Sequence, residues 1–165
     1  AYARAHEALL QKDWTSATLA TLVDAARTTI GLEGSERITS VGPDVELGPQ
    51  AALSFSLVLH ELLTNAAKYG ALSNTDGRVD ITWNIECRDK AEVLVVSWRE
   101  IDGPRILKPT PGREGFGSRL IVSSLAAYGE ANVTYASEGM MLVAELLLAK
   151  LQFRNDVSQL DRPMP

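Results

Sequence analysis

At 165 residues the chain is long enough for one compact domain with its own core, and a 45% hydrophobic composition suits a globular protein. Sixteen Lys and Arg against 21 Asp and Glu give a formal net charge of -5, which argues against a nucleic-acid binder. No apolar run reaches the ~20 residues that span a bilayer, no signal-like segment opens the chain, and a lone cysteine can form no internal disulfide, so a reducing, cytoplasmic setting without membrane contact is the expectation.

In chain order, the opening "AYARAHEALLQKDW" reads as the end of a helix with no visible beginning. "TSATLATLVDAARTTI" offers Thr15 or Ser16 as N-cap, places Leu19, Leu22, Val23 and Ala26 at helical spacing, and is closed by Gly31. "ERITSVGPDVELG" predicts two short strands around a Gly42-Pro43-Asp44 turn. Pro49 suits the first position of a long helix and Gly70 its C′ position. Residues 78–86 and 92–98 read as an antiparallel hairpin, with Cys87 as a half-buried strand-end residue between them. A stretch rich in Gly, Pro and charge (101–115) precedes a helix from about Ser118 to Tyr128, closed by Gly129. A strand "NVTYA", a turn at Glu138-Gly139 and a last strand to about Leu148 complete the pattern, and "RNDVSQLDRPMP" shows no periodicity. Helices and antiparallel strands in runs predict an α+β fold: a two-layer sandwich rather than a doubly wound parallel sheet.

Three stretches carry chemistry. In "LVLHELLTNAAKYGALS" (57–73), Glu61, Asn65 and Lys68 stand at i, i+4 and i+7 and so form one polar stripe on an otherwise apolar helix. Asn supplies a neutral oxygen suited to Mg²⁺, Lys a point charge for phosphate, and Glu a group that orients or deprotonates a hydroxyl or water. An exposed face with a Glu–Lys pair is the plainer reading of the same residues. In "VLVVSWREIDGP" the strand delivers Glu100 at its end, where a carboxylate can accept from a flat ligand's amino group. In "GREGFGSRLI" (112–121), Gly115 and Gly117 flank Phe116 just ahead of a helix that Ser118 opens, an arrangement that lets backbone amides approach phosphate. The glycine spacing fits neither a Walker A loop nor a dinucleotide fingerprint.

Taken in this order, "LHELLTNAAKYG", "WRE" and "GFGSRLI" resemble the HWE family of sensor histidine kinases over roughly residues 16–148, with His60, Trp98 and Glu100 as the name-giving residues. The resemblance implies a mixed, mostly antiparallel sheet backed by about three helices, the ATP-binding fold shared with gyrase-type ATPases. It implies a lid at about 103–116. It further implies ATP and Mg²⁺ as ligands: Asn65 on the metal, Lys68 on the phosphates, Tyr69 near the adenine or ribose, and Glu61 near the γ-phosphate. Glu100 would read the adenine, Gly103 would begin the lid, Gly115 and Gly117 would line the triphosphate beside Phe116, and Ser118 and Arg119 would support it. Relatives typically have glycine where this chain has Asp102, which either decorates the turn or shares the adenine contact. Glu100 is favoured, because Leu94, Val96, Trp98 and Glu100 share one strand face. His60 lies off the stripe, either as a satisfied structural histidine or with a part in phosphate handling or docking.

The domain organisation expected is the end of a dimerisation helix or linker (1–14), an ATP-binding catalytic domain (15–150) and a C-terminal tail (151–165). Its expected partners are a dimerisation domain carrying the phospho-acceptor histidine and a response regulator. His6 is expected to be a helix-surface residue rather than that acceptor. A regulatory module that binds a partner without turnover, and a free-standing ATPase, are the alternatives.

Overall fold

The computed structural model of the protein describes residues 17–104, 116–136 and 139–152. The expectations for 1–14 (with His6), the N-cap candidates Thr15 and Ser16, the loop through Gly115, and the tail beyond 152 lie outside them. Among the described residues, seven strands and four α-helices follow one another as β1 (Ala17–Thr18), α1 (Leu19–Thr29), β2 (Ile38–Val41), β3 (Glu46–Leu47), α2 (Pro49–Lys68), β4 (Arg78–Arg88), β5 (Ala91–Ile101), α3 (Phe116–Leu125), β6 (Gly129–Ala136), β7 (Gly139–Leu147) and α4 (Leu148–Leu151), with a 3-10 turn at Ala71–Ser73 after α2.

Five strands form one mixed sheet in the order β2-β4-β5-β7-β6. Only the β2–β4 pair is parallel (Ile38 opposite Val79), and α2 lies on the connection between those two strands. The other pairs are antiparallel, as the alternating patterns predict. The β4–β5 hairpin turns on Asp89 and Lys90, at φ 50° and 69°, the two left-handed residues of a type I′ turn whose twist matches the strands. Alternation then sends Leu94, Val96, Trp98 and Glu100 of β5 to one face, beside Val79, Ile81 and Trp83 of β4 and Leu142, Ala144 and Leu146 of β7. That face packs on Leu19, Leu22, Val23 and Ala26 of α1, on α2, and on Ile121 and Leu125 of α3. The result is the expected two-layer α+β sandwich, with three longer helices and a four-residue α4 that no periodicity announces.

Helix α2 begins at Pro49 as expected, although its N-cap Gly48 offers no side chain to the first amides. What holds it is burial. Phe55, Val58, Leu59, Leu62 and Leu63 are all in the core, each contributing about 1.5–3 kcal/mol of transfer free energy. The polar stripe therefore rides on a rigid element.

Several boundaries differ from expectation, each for a physical reason. Helix α1 is capped by Thr18, not by Thr15 or Ser16. Ala17 and Thr18 are held extended by pairing with Glu46–Leu47, so the helix starts only at Leu19, where Thr18 and Thr21 cap each other reciprocally. Gly129 opens β6 instead of closing a helix, because Gly129 pairs with Leu146. Cys87 is exposed, not half-buried.

Candidate nucleotide site

The stripe on α2 is assembled as the spacing predicts. Asn65 Nδ2 donates to Glu61 Oε1 at 2.9 Å, and both side chains are half-buried. With its donor end on Glu61, Asn65 presents its amide oxygen to the other side. Lys68 follows in the last turn, exposed, and Tyr69, 73% exposed, caps the helix as a surface residue rather than part of the core. His60 is half-buried.

Helix α3 meets this stripe at its first turn. A methyl group added at Gly117 would fall 2.4 Å from Glu61 Oε1 and 3.1 Å from Asn65 Nδ2, so the α3 backbone lies directly against these two side-chain ends, which a larger residue would have to displace. The N-terminal end of a helix dipole, which attracts anions, is thereby brought to the stripe. Ser118 is half-buried and Arg119 exposed in the same turn. Gly115 and the side chain of Phe116 lie outside the described residues.

The third stretch arrives from the sheet. Glu100, at 3% exposure, is the one buried charged residue among those described. Its Oε2 accepts the backbone N–H of Ala71 at 2.9 Å. Burial pushes its carboxyl above the ordinary glutamate range, opposed by the Ala71 N–H, the Trp98 indole and the Met140 backbone, which favour the charged form. The Trp98 N–H is buried with no hydrogen bond of normal geometry, yet it stands close enough to act on that carboxylate. Asp102 behaves otherwise. It sits at φ 55°, a left-handed conformation that glycine adopts freely, and its exposed carboxylate pairs with Arg78 at 2.6 Å. Gly103 lies with its backbone against Ala71, where a methyl would fall 2.8 Å from the Ala71 Cα.

Gly70 stands at the expected C′ position, but the reason for glycine there is different. Its φ is -102°, open to any residue. What excludes a side chain is Glu100: a methyl at Gly70 would fall 2.2 Å from Oε2 and 2.9 Å from the Ala66 Cα. Gly70→Ala is therefore expected to cost about 1–3 kcal/mol of stability by overpacking, read as a lowered Tm; a wild-type Tm would contradict this close approach.

The three stretches thus converge. Gly117 reaches the middle of the α2 stripe, and the residues after its end, Gly70 and Ala71, reach Glu100. Sequence reasoning missed Ala71, whose contribution is a backbone amide and so invisible in a residue type. Among the described residues no three His, Cys, Asp or Glu side chains cluster as a metal cage. No helix among the described residues is long and apolar enough to cross a membrane.

No family model matches the chain. It is 35% identical over 144 residues to a blue-light-activated histidine kinase of Brucella anthropi, and 37% identical over 145 residues to the protein of that name from Brucella ovis. Each alignment covers 86% of this chain, which spans 29% of the length of either relative. Among solved structures, the histidine kinase domain of the Erythrobacter litoralis EL346 blue-light activated histidine kinase superposes with a TM-score of 0.61 at 22% identity, covering 81% of this chain and 60% of that one. The catalytic domain of histidine kinase ThkA gives 0.55 at 16% identity, covering 82% and 97%. At these identities the solved structures bear on the fold alone.

Proposed function

We propose that this chain, which belongs to the HWE-type sensor histidine kinases, is an ATP-binding catalytic domain that binds Mg²⁺–ATP and passes the γ-phosphate to a histidine on a dimerisation domain. The phosphohistidine would then supply an aspartate of a response regulator. The observation that carries this reading is the meeting of Gly117 with Glu61 and Asn65 within the same layer where Ala71 meets Glu100. In this reading the first contact marks the phosphate end of α2 and the second its base end.

In this reading Glu100 accepts the exocyclic amino group of adenine, and Tyr69 lies along the base or ribose. Asp102 takes no part in base contact, because its carboxylate is committed to Arg78. Lys68 meets phosphate oxygens as a point charge, and the α3 N-terminus, with Gly117, Ser118 and Arg119, faces the triphosphate. Asn65 would hold Mg²⁺, which when bound neutralises charge on the β- and γ-phosphates. Glu61, fixed by Asn65, stands next to the γ-phosphate and orients the incoming imidazole, with His60 supporting that turn of the helix. The protein's contribution is positioning and charge neutralisation rather than covalent chemistry.

The test is transfer. Incubated with labelled ATP, Mg²⁺ and a separate dimerisation segment bearing its histidine, the protein is expected to place acid-labile label on that segment, and none on itself when incubated alone. Phosphate release at a rate indifferent to the acceptor, with no label transferred, would make it a hydrolase instead. Acid-labile label on the protein alone, absent in His6→Gln, would put the acceptor within this chain.

A further inference from the structure

Arg37 lies in the turn before β2, outside every helix and strand, and the reading above gives it nothing to do. Its half-buried guanidinium nevertheless holds three backbone carbonyls of a single loop. Nε donates to Gly77 O at 2.8 Å, and Nη2 donates to Ala71 O at 3.3 Å and to Asn74 O. Its own carbonyl accepts from Val79 N at 2.8 Å, so the residue is anchored to the start of β4 as well. The held loop, 71–77, is the one that leaves the end of α2. Asn74 fastens it further, accepting from Gly77 N at 2.7 Å and donating to Asp102 O at 3.0 Å.

Ala71 faces two ways within this arrangement. Its carbonyl accepts from Arg37, and its N–H donates to Glu100 Oε2. A planar guanidinium with five donors in fixed directions can span several carbonyls at once, whereas an ammonium on a flexible stem cannot hold the same set. Ala71 thereby fixes one carboxylate oxygen of Glu100, and with it the plane of a carboxylate on which the Trp98 indole and the Met140 backbone also act.

We infer that Arg37 is a positioning residue for base recognition: it fixes the 71–77 loop so that the Ala71 amide orients the Glu100 carboxylate toward an adenine amino group. This rests on the assignment of Glu100 as the base-reading residue. A residue that merely stabilised the fold would weaken all nucleotides alike; this one should govern the discrimination between an amino group and a carbonyl on the base.

The experiment compares Mg²⁺–ATP with Mg²⁺–ITP, which carries a carbonyl where ATP carries the amino group, by calorimetry on wild type, Arg37→Ala and Arg37→Lys. It also follows hydrogen exchange of the Ala71 amide without nucleotide. Wild type is expected to favour ATP by about tenfold or more, the worth of one well-placed hydrogen bond to a charged group. Arg37→Ala should bring that ratio close to one and speed Ala71 exchange, with Arg37→Lys showing the same two changes in smaller degree. Should Arg37→Ala fail to fold, Arg37→Lys carries the comparison alone. Folded variants that keep the wild-type ATP preference and the slow Ala71 exchange would overturn the role of Arg37 and leave the assignment of Glu100 standing. A wild type that binds ATP no better than ITP would overturn the assignment of Glu100, and the role of Arg37 with it.

Discussion

Asn65→Ala is expected to yield a folded protein whose affinity for ATP no longer rises when Mg²⁺ is added. The side chain is half-buried on the polar stripe and touches Glu61 rather than the core, so its removal opens no cavity among apolar residues. Alanine is also the better helix former at an interior position, which offsets the lost hydrogen bond to Glu61. Stability should therefore change little. Binding should change a great deal, because in the proposed site the amide oxygen is the neutral ligand for the cation, and its loss would also leave the Glu61 carboxylate without its partner. Loss of a group that merely supports a metal ligand already costs roughly 10–100-fold in affinity, and loss of the ligand itself should cost at least as much. Calorimetry with and without Mg²⁺, alongside a thermal melt, reads both halves. Unchanged Mg²⁺–ATP affinity in a folded variant would remove Asn65 from the site.

The second large effect has opposite signs on stability and on binding. Because burial raises the carboxyl of Glu100 above its ordinary range, the folded state holds that proton more tightly than the unfolded chain does. Stability therefore falls as pH rises from the ordinary glutamate range through the raised value. Glu100→Gln carries no such penalty, and its amide oxygen can still accept the Ala71 N–H. The variant should be at least as stable as wild type at neutral pH, with the difference shrinking on acidification. Its ATP affinity should nevertheless drop by about 1–3 kcal/mol, since an acceptor-only group becomes one that can present a donor to another donor. Thermal melts across pH and nucleotide titrations at neutral pH measure the two effects. Asp102→Asn should do little to binding, its carboxylate being engaged at the surface with Arg78, where such pairs are worth ~1 kcal/mol or less. Loss of ATP binding in Asp102→Asn but not in Glu100→Gln would show that the adenine contact belongs to Asp102.

Features that repeat along the chain were legible. The apolar positions of α1 and α2 recur with the helical period, and the alternation through Leu94, Val96 and Trp98 carries Glu100 inward by the same rule that buries its neighbours. Features decided by a single distant contact were not. The start of α1 depends on a two-residue pairing with Glu46–Leu47, far too short to leave a pattern. Gly70 reads as a helix terminator in sequence, while its actual constraint is a carboxylate thirty residues onward. Arg37 has no motif around it at all; its three acceptors are backbone carbonyls 34 to 40 positions away, and any sequence could supply those. The converging halves of the site were each visible as motifs, but their contact through Gly117 belongs to the packing of α3 on α2.

A calorimetric titration of the wild-type protein with ATP, once with Mg²⁺ and once with a chelator, tests the central claim most directly. The account predicts binding at a single site per chain that is strong with Mg²⁺ and falls sharply when the cation is removed. Absence of ATP binding, or an affinity indifferent to Mg²⁺, would contradict it.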